Sequence, residues 1–221
     1  MNNSRTRNQG NDSRIILNEL SSWSMKEGYK TIRTNVLASL EGDGCHVIGV
    51  SGITSEEGKN VNAVNLGIAI AQINDRVLVL DANLRDPQLG PLFHLQTGVG
   101  LSDILTGDAE FIRCLRHSAK HRIDVLPAGE PMEDSSEQLE SPQMKQLIEE
   151  LRKIYDYIIM ILPPVTSVTD TSILSRLCDG MILTVRHRVT MLPMIVDALY
   201  QMDQVKANVI GFIYNGLEDE R

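Results

Sequence analysis

Val47-Ile48-Gly49-Val50-Ser51 runs without a break into Gly52-Ile53-Thr54-Ser55-Glu56-Glu57-Gly58-Lys59-Asn60-Val61, and then into a helical pattern. An apolar strand that turns through a glycine-containing loop ending in Gly-Lys and opens a helix is a phosphate-binding unit. The loop and the helix N-terminus present backbone N–H groups to an anion, and the lysine adds a positive charge beside them. A helix entered in this way must pack back onto its own strand. The strand itself reads as buried.

The rest of the chain alternates helices with strands, without an internal repeat. Tyr29, Ile32, Val36 and Leu40 give a helical stripe from Ser24, and Val64, Leu66, Ile68, Ala69 and Ala71 give an apolar helix ending at Asn74-Asp75. Strands are expected at 77–80, 124–126, 157–161, 180–185 and 208–214. Helices are expected from Ser102 as N-cap to Leu105, from Ser141-Pro142 to about Ile154, and over 171–177 and 192–202. The expected fold class is α/β: a doubly wound, mostly parallel sheet, a P-loop NTPase-like three-layer sandwich. Residues 1–20 are expected as a disordered polar tail and 21–221 as a single domain.

Composition excludes some functions. Lys and Arg number 21 against 29 Asp and Glu, a formal charge of -8, which argues against nucleic acid as a partner. Cys45, Cys114 and Cys178 are odd in number and widely spaced, as in a reducing compartment, and neither they nor His46, His94, His117, His121 and His187 have metal-ligand spacing. No apolar run approaches the ~20 residues of a membrane span. The expectation is a cytoplasmic protein without direct membrane insertion.

The phosphate loop lacks the groups that normally hold a divalent cation. The residue after Lys59 should carry a hydroxyl for magnesium, and it is Asn60, followed by Val61. Strand 77–80 delivers Asp81-Ala82-Asn83-Leu84-Arg85-Asp86-Pro87, in which positions 81 and 83 share a face, yet 83 is an amide. Strand 157–161 runs into Pro163-Pro164, and its end, where a second acid belongs, is Ile161. No residue is assigned as a metal ligand.

These residues in this order resemble the bacterial tyrosine kinase family, cytoplasmic P-loop kinases of capsule and exopolysaccharide synthesis. The resemblance covers nearly the whole chain after residue 20. It rests on Glu27-Gly28-Tyr29-Lys30-Thr31-Ile32-Arg33-Thr34-Asn35, Gly58-Lys59, Asn65-Leu66-Gly67-Ile68-Ala69, Asp81 to Pro87, Gly100 to Leu105, Leu126-Pro127-Ala128-Gly129, Pro163-Pro164-Val165 with Asp170, and Gly211 to Asn215. It implies ATP or ADP as ligand, with Glu57, Gly58, Lys59, Asn60, Val61 and Asn215 around it, Asn215 beside the adenine. It implies catalytic roles for Lys59, Asp81 and Arg85, Asp81 as the acceptor of a tyrosine proton. It implies that Glu27, Lys30 and Arg33 join subunits into a homo-oligomeric ring, with lysine at 30 in place of the family's arginine. The implied partner is a membrane-anchored chain-length or activator protein, or an active sister kinase, recruiting the chain to the inner membrane face.

The departures from the family are Asn60, Asn83, Ile161, Ser55-Glu56 in place of Pro-Gly, and an end, Leu217 to Arg221, with no tyrosine run. The leading expectation is therefore a pseudokinase acting as regulator or scaffold. Two alternatives stand beside it. One is an active kinase with Glu56, Glu57 or Asp170 as replacement ligands. The other is a partition-type ATPase, weakened by the missing lysine near the loop's start. Plainer readings remain for single residues: Asp81 as the cap of a strand end, Glu27, Lys30 and Arg33 as a solvated helix face, and Tyr155 and Tyr157 as packing residues.

Overall fold

Five of the strands are apolar on both faces, and both faces are covered. The computed structural model describes residues 16–73, 75–95, 98–166 and 169–216. In chain order its elements are α1 (Trp23–Ala38), β1 (His46–Gly52), α2 (Lys59–Ala71), β2 (Val77–Asp81), α3 (Leu89–Leu92), α4 (Leu101–Thr106), α5 (Phe111–Cys114), β3 (Arg116–Ser118), β4 (Ile123–Leu126), α6 (Ser135–Glu140), α7 (Pro142–Leu151), β5 (Tyr157–Ile161), α8 (Asp170–Leu174) with a 3-10 turn Ser175–Leu177, β6 (Gly180–Arg186), α9 (Leu192–Gln204) and β7 (Val209–Asn215).

The strands form one seven-stranded sheet in the order β3-β4-β2-β5-β1-β6-β7. All neighbours are parallel except β3, which pairs antiparallel with β4. Side chains alternate across the sheet and so build two cores. Val47, Leu78, Leu80, Ile158, Met160, Leu183 and Val185 meet the helices α4, α6, α7, α8 and α9. Ile48, Val50, Val79, Ile159, Ile161, Ile182 and Ile213 meet α1 and α2 on the other side. The doubly wound three-layer arrangement expected from the sequence is the one the chain adopts.

Three expectations need correction. Ser102 does not cap α4: it is buried inside that helix, Gly100 is the N-cap, and the Asp103 carboxylate accepts the Gly100 N–H at 2.8 Å. Gly100 approaches the backbone at Pro127 and Ala128 too closely for any side chain, which is why the cap falls there. Helix α7 does start at Ser141-Pro142, where the Ser141 hydroxyl accepts the Met144 N–H, but it ends at Leu151. The expected 1–20 tail is too long. Ile16 and Leu17 are buried against α2, and the Leu17 N–H donates to Asn65 Oδ1 at 2.7 Å. Residues 1–15 lie outside the described residues.

The order places β1 centrally, between β5 and β6, so the loop after β1 opens at the middle of the sheet's carboxyl edge. Register pairs Asp81 with Ile161 directly beside that loop.

Leu17 is 2% exposed, and Leu17→Ala is expected to lower unfolding stability by about 2–4 kcal/mol. Urea denaturation measures it. A change near zero would return residues 16–20 to the tail.

Candidate functional site

The loop between β1 and α2 is shaped by an inward-pointing carboxylate. Glu57 is buried, and its two oxygens accept the Thr54 N–H at 3.0 and 2.9 Å, the Thr54 hydroxyl at 2.8 Å and the Thr190 hydroxyl at 3.1 Å. Its backbone carbonyl accepts the Asn215 amide at 2.6 Å, and the neighbouring Glu56 carbonyl accepts Arg186 Nη1 at 3.1 Å. Gly58 has φ 76°, a left-handed conformation that costs glycine least, and it starts α2 without a side-chain cap. Gly52 is needed for a different reason: a Cβ there would sit 2.4 Å from the Thr54 carbonyl oxygen.

Lys59 opens α2 with its ammonium largely enclosed, 5% exposed, and donates to Asn60 Oδ1 at 3.1 Å. Burial pushes its pKa below the ordinary lysine value, against the opposing pull of Asp81, Asp86 and Glu57. Lys59, Asn60, Asn83, Arg85, Asp86 and Gln88 line a cleft of about 470 Å³ with Ser55 and the Pro163-Pro164 turn on its other wall. Ser51 fixes that turn by donating its hydroxyl to the Pro163 carbonyl at 2.6 Å.

Asp81 stands at the end of β2, fully buried. Its Oδ1 accepts the Asn83 N–H at 3.1 Å, and its Oδ2 accepts the Gln88 and Leu89 N–H groups at 3.0 and 2.9 Å. Desolvation pushes this carboxyl above the usual range, while the three N–H donors and Lys59 pull it down. The group closes the 83–89 turn. Asn83 is buried beside it and donates its amide to the Asp86 carbonyl at 2.8 Å. Ile161, opposite Asp81, packs among Ile48, Val50 and Ile159.

Arg85 lines the cleft, yet its guanidinium is held in place. Nε meets Asp170 Oδ2 at 2.9 Å, Nη1 donates to the Glu133 carbonyl at 2.6 Å, and Nη2 contacts the Ser136 hydroxyl at 3.1 Å. Asp170 is fully buried and also accepts from Ser135 at 2.7 Å and from Ser136. Burial alone would raise its pKa, but Arg85, Ser136 and Ser135 together hold it below the ordinary carboxylate value.

The structure thus brings Lys59, Asn60, Asn83 and Arg85 together around one cleft, with Asp81 and Gly58 behind them. Glu57 and Asn215 are placed as supports of the loop backbone, and Val61 packs partly buried against the α2-side core. On α1, Lys30 pairs with Glu27 at 2.7 Å on the surface, whereas Arg33 donates to the Ala69 carbonyl at the end of α2 at 2.7 Å. Arg33 therefore stands apart from the polar face shared by the other two. Thr54, Thr190, Ser135 and Ser136 matter to the site and were missed. Ser135, Ser136 and Thr190 act across separations of 34 to 133 residues, which no local pattern reveals.

A family model described as an AAA domain matches residues 46–209. The tyrosine-protein kinase YwqD of Bacillus subtilis is 32% identical over 191 residues, covering 86% of this chain and 80% of that protein. The chain belongs to the bacterial tyrosine kinase family. Other members are longer. The tyrosine-protein kinase ptk of Acinetobacter johnsonii is 31% identical over 87% of this chain, which spans only 26% of that protein. The kinase domain of the Escherichia coli tyrosine kinase ETK superposes with a TM-score of 0.85 at 28% identity, covering 90% of this chain and 78% of that one. The septum site-determining protein MinD of Pyrococcus horikoshii, complexed with Mg-ADP, has a TM-score of 0.65 at 21% identity over 79% of this chain and 72% of that one, and shares the fold. Asn83, Arg85 and Asp86 of the 81–87 segment line the cleft, and Asp81 lies behind them, closing the turn.

Arg85→Ala leaves the buried Asp170 with hydroxyl partners only. It is expected to destabilise the fold by about 3 kcal/mol, more than Asp170→Asn does, and chemical denaturation compares the two. The pH dependence has a defined sign. Asp170 is depressed in the folded state, so its contribution is present above the unfolded carboxylate pKa of about 4 and is lost as pH falls through the folded value. Asp170→Asn is expected to flatten the acid limb of a stability profile between roughly pH 5 and 2. An unchanged limb contradicts the pairing.

Proposed function

We propose that this chain is a pseudokinase of the bacterial tyrosine kinase family, a regulator or scaffold in capsular or exopolysaccharide synthesis rather than a phosphoryl-transfer enzyme. One observation carries the reading. At the three positions where a metal ligand belongs stand Asn60, Asn83 and Ile161, and the acids nearby are engaged in holding the fold.

Magnesium takes a near-octahedral oxygen shell, with one or two carboxylates among its ligands. Asp81 has both oxygens bonded to the 83–89 turn, and releasing them means opening that turn. Glu57 and Asp170, two of the replacement ligands that an active kinase would call on, are engaged by Thr54 and Thr190 and by Arg85 and two serines. Glu56 is the remaining one and is exposed on the loop. The donor set does not fit the ion. Phosphoryl transfer relies on positioned charge, and losing one such group costs about 10²–10³ in rate.

The loop N–H groups and Lys59 still suit an anion, so ATP or ADP is the ligand we assign, held without magnesium. Related solved structures of the same fold include one complexed with Mg-ADP. The partner we assign is a membrane-anchored activator or an active sister kinase, which brings the chain to the inner membrane face. Among the described residues no helix is long and apolar enough to cross a membrane.

Calorimetry with ADP and ATP, with and without magnesium, is expected to give affinities that the ion does not alter. Labelled ATP with an activator fragment is expected to leave no phosphotyrosine. The double variant Asn60→Thr with Asn83→Asp is expected to introduce magnesium dependence. Appreciable phosphotyrosine on the wild-type chain would overturn the reading in favour of an altered metal site.

A further inference from the structure

Two amides are buried in the otherwise apolar helix α2. Asn62 and Asn65 lie three residues apart and so share a face, and they are 2% and 0% exposed. A buried amide is costly unless its oxygen and its NH2 group are bonded. Here the bonds form one series, each group donating to the next. The Leu17 N–H donates to Asn65 Oδ1 at 2.7 Å. The Asn65 amide bonds the Tyr29 side chain of α1. Burial raises the Tyr29 pKa and this bond opposes the rise, which marks it as donated to the phenol oxygen. The Tyr29 hydroxyl donates in turn to Asn62 Oδ1 at 2.8 Å, and Asn62 Nδ2 donates to the Gly58 carbonyl at 3.1 Å.

The series ends on the phosphate loop. Gly58 and Lys59 share a trans peptide, in which the carbonyl and the N–H point opposite ways. The Gly58 carbonyl is gripped twice by Asn62, through its side chain and its backbone N–H, both at 3.1 Å. The Lys59 N–H is thereby aimed away from the helix body, among the groups that a helix start leaves for an anion. The series begins just before α1. Leu17 is buried in the α2-side core, and the His121 ring hydrogen-bonds its backbone. Without Leu17 in place, Asn65 Oδ1 is a buried acceptor that has lost this donor, and its amide is drawn away from Tyr29 to find another.

We infer that Tyr29, Asn62 and Asn65 are positioning residues for the phosphate loop, and that the seated Leu17 completes the series that fixes the loop's geometry. Seating of residues 16 and 17 and anion binding at the loop then favour each other, as two sites coupled through one hydrogen-bonded network do. The nucleotide side of this coupling rests on the reading of ADP or ATP as the ligand. Tyr29 has two parts in it: its ring packs against the α2-side core, while its hydroxyl joins the two amides of α2.

Calorimetry with ADP on the full chain tests this. Tyr29→Phe keeps the ring and removes the hydroxyl, and it is expected to weaken ADP about fivefold or more. Leu17→Pro has no N–H to donate and is expected to weaken ADP as well. The double variant is expected to be no weaker than the poorer single one, because both break the same series. Leu147→Ala, in the core on the other side of the sheet, is expected to lower stability and leave ADP affinity unchanged. In the reverse direction, ADP is expected to slow hydrogen exchange of the Leu17 amide in the wild type and not in Tyr29→Phe. ADP affinity unchanged in Tyr29→Phe overturns the inference, and so does an equal loss in Leu147→Ala. A wild type that binds no ADP removes the nucleotide reading instead, and amide spectra recorded without nucleotide then decide. Gly58 and Lys59 signals that move in Tyr29→Phe support the series, and unmoved signals overturn it.

Discussion

The site depends on how backbone N–H groups at the carboxyl end of β2 find acceptors. A strand that ends inside the molecule and turns at once leaves donors that neither sheet nor water can satisfy. Here the Asn83, Gln88 and Leu89 N–H groups converge on the Asp81 carboxylate, and the whole 83–89 turn follows from that convergence. Glu57 does the same for the loop after β1, and Asp170 for the Arg85 guanidinium. Three buried acids serve as internal acceptors around a phosphate-type loop. A carboxylate in that role is held by several donors and cannot leave them cheaply.

This use of acids fits what replaces the missing ones. Ile161 closes the α2-side core beside Val50 and Ile159, where a charged side chain would need a partner. Asn83 keeps a hydrogen bond to the Asp86 carbonyl, which an amide can donate and an ionised carboxylate cannot. Asn60 accepts a hydrogen bond from the Lys59 ammonium through its side-chain oxygen. Each replacement is satisfied within the fold, and together they describe a settled structure.

Much of this was legible in the sequence for plain reasons. Inner parallel strands are uninterrupted apolar runs, so Tyr157–Ile161 was located to the residue and Val77–Leu80 to within one. The Gly-Lys loop announced its place between strand and helix. What the sequence hid was non-local. Nothing near Asp170 reveals that Ser135 and Ser136 will reach it, and Arg33 gave no sign of turning to the end of α2. Ser102 was misread because N-cap chemistry favours serine, while the close approach of Gly100 to Pro127 and Ala128 moved the cap two residues earlier. The buried Ile16 and Leu17 were lost inside a polar tail.

The account turns on Asp81 being a ligand for backbone rather than for metal. Adding Mn²⁺ to the nucleotide-saturated protein and following amide resonances by NMR reads this directly, because the ion broadens signals of residues close to it. The account predicts that Asn83, Gln88 and Leu89 broaden no more than exposed surface amides. Selective loss of those three signals at substoichiometric Mn²⁺ would place a cation in the cleft beside Asp81 and contradict it.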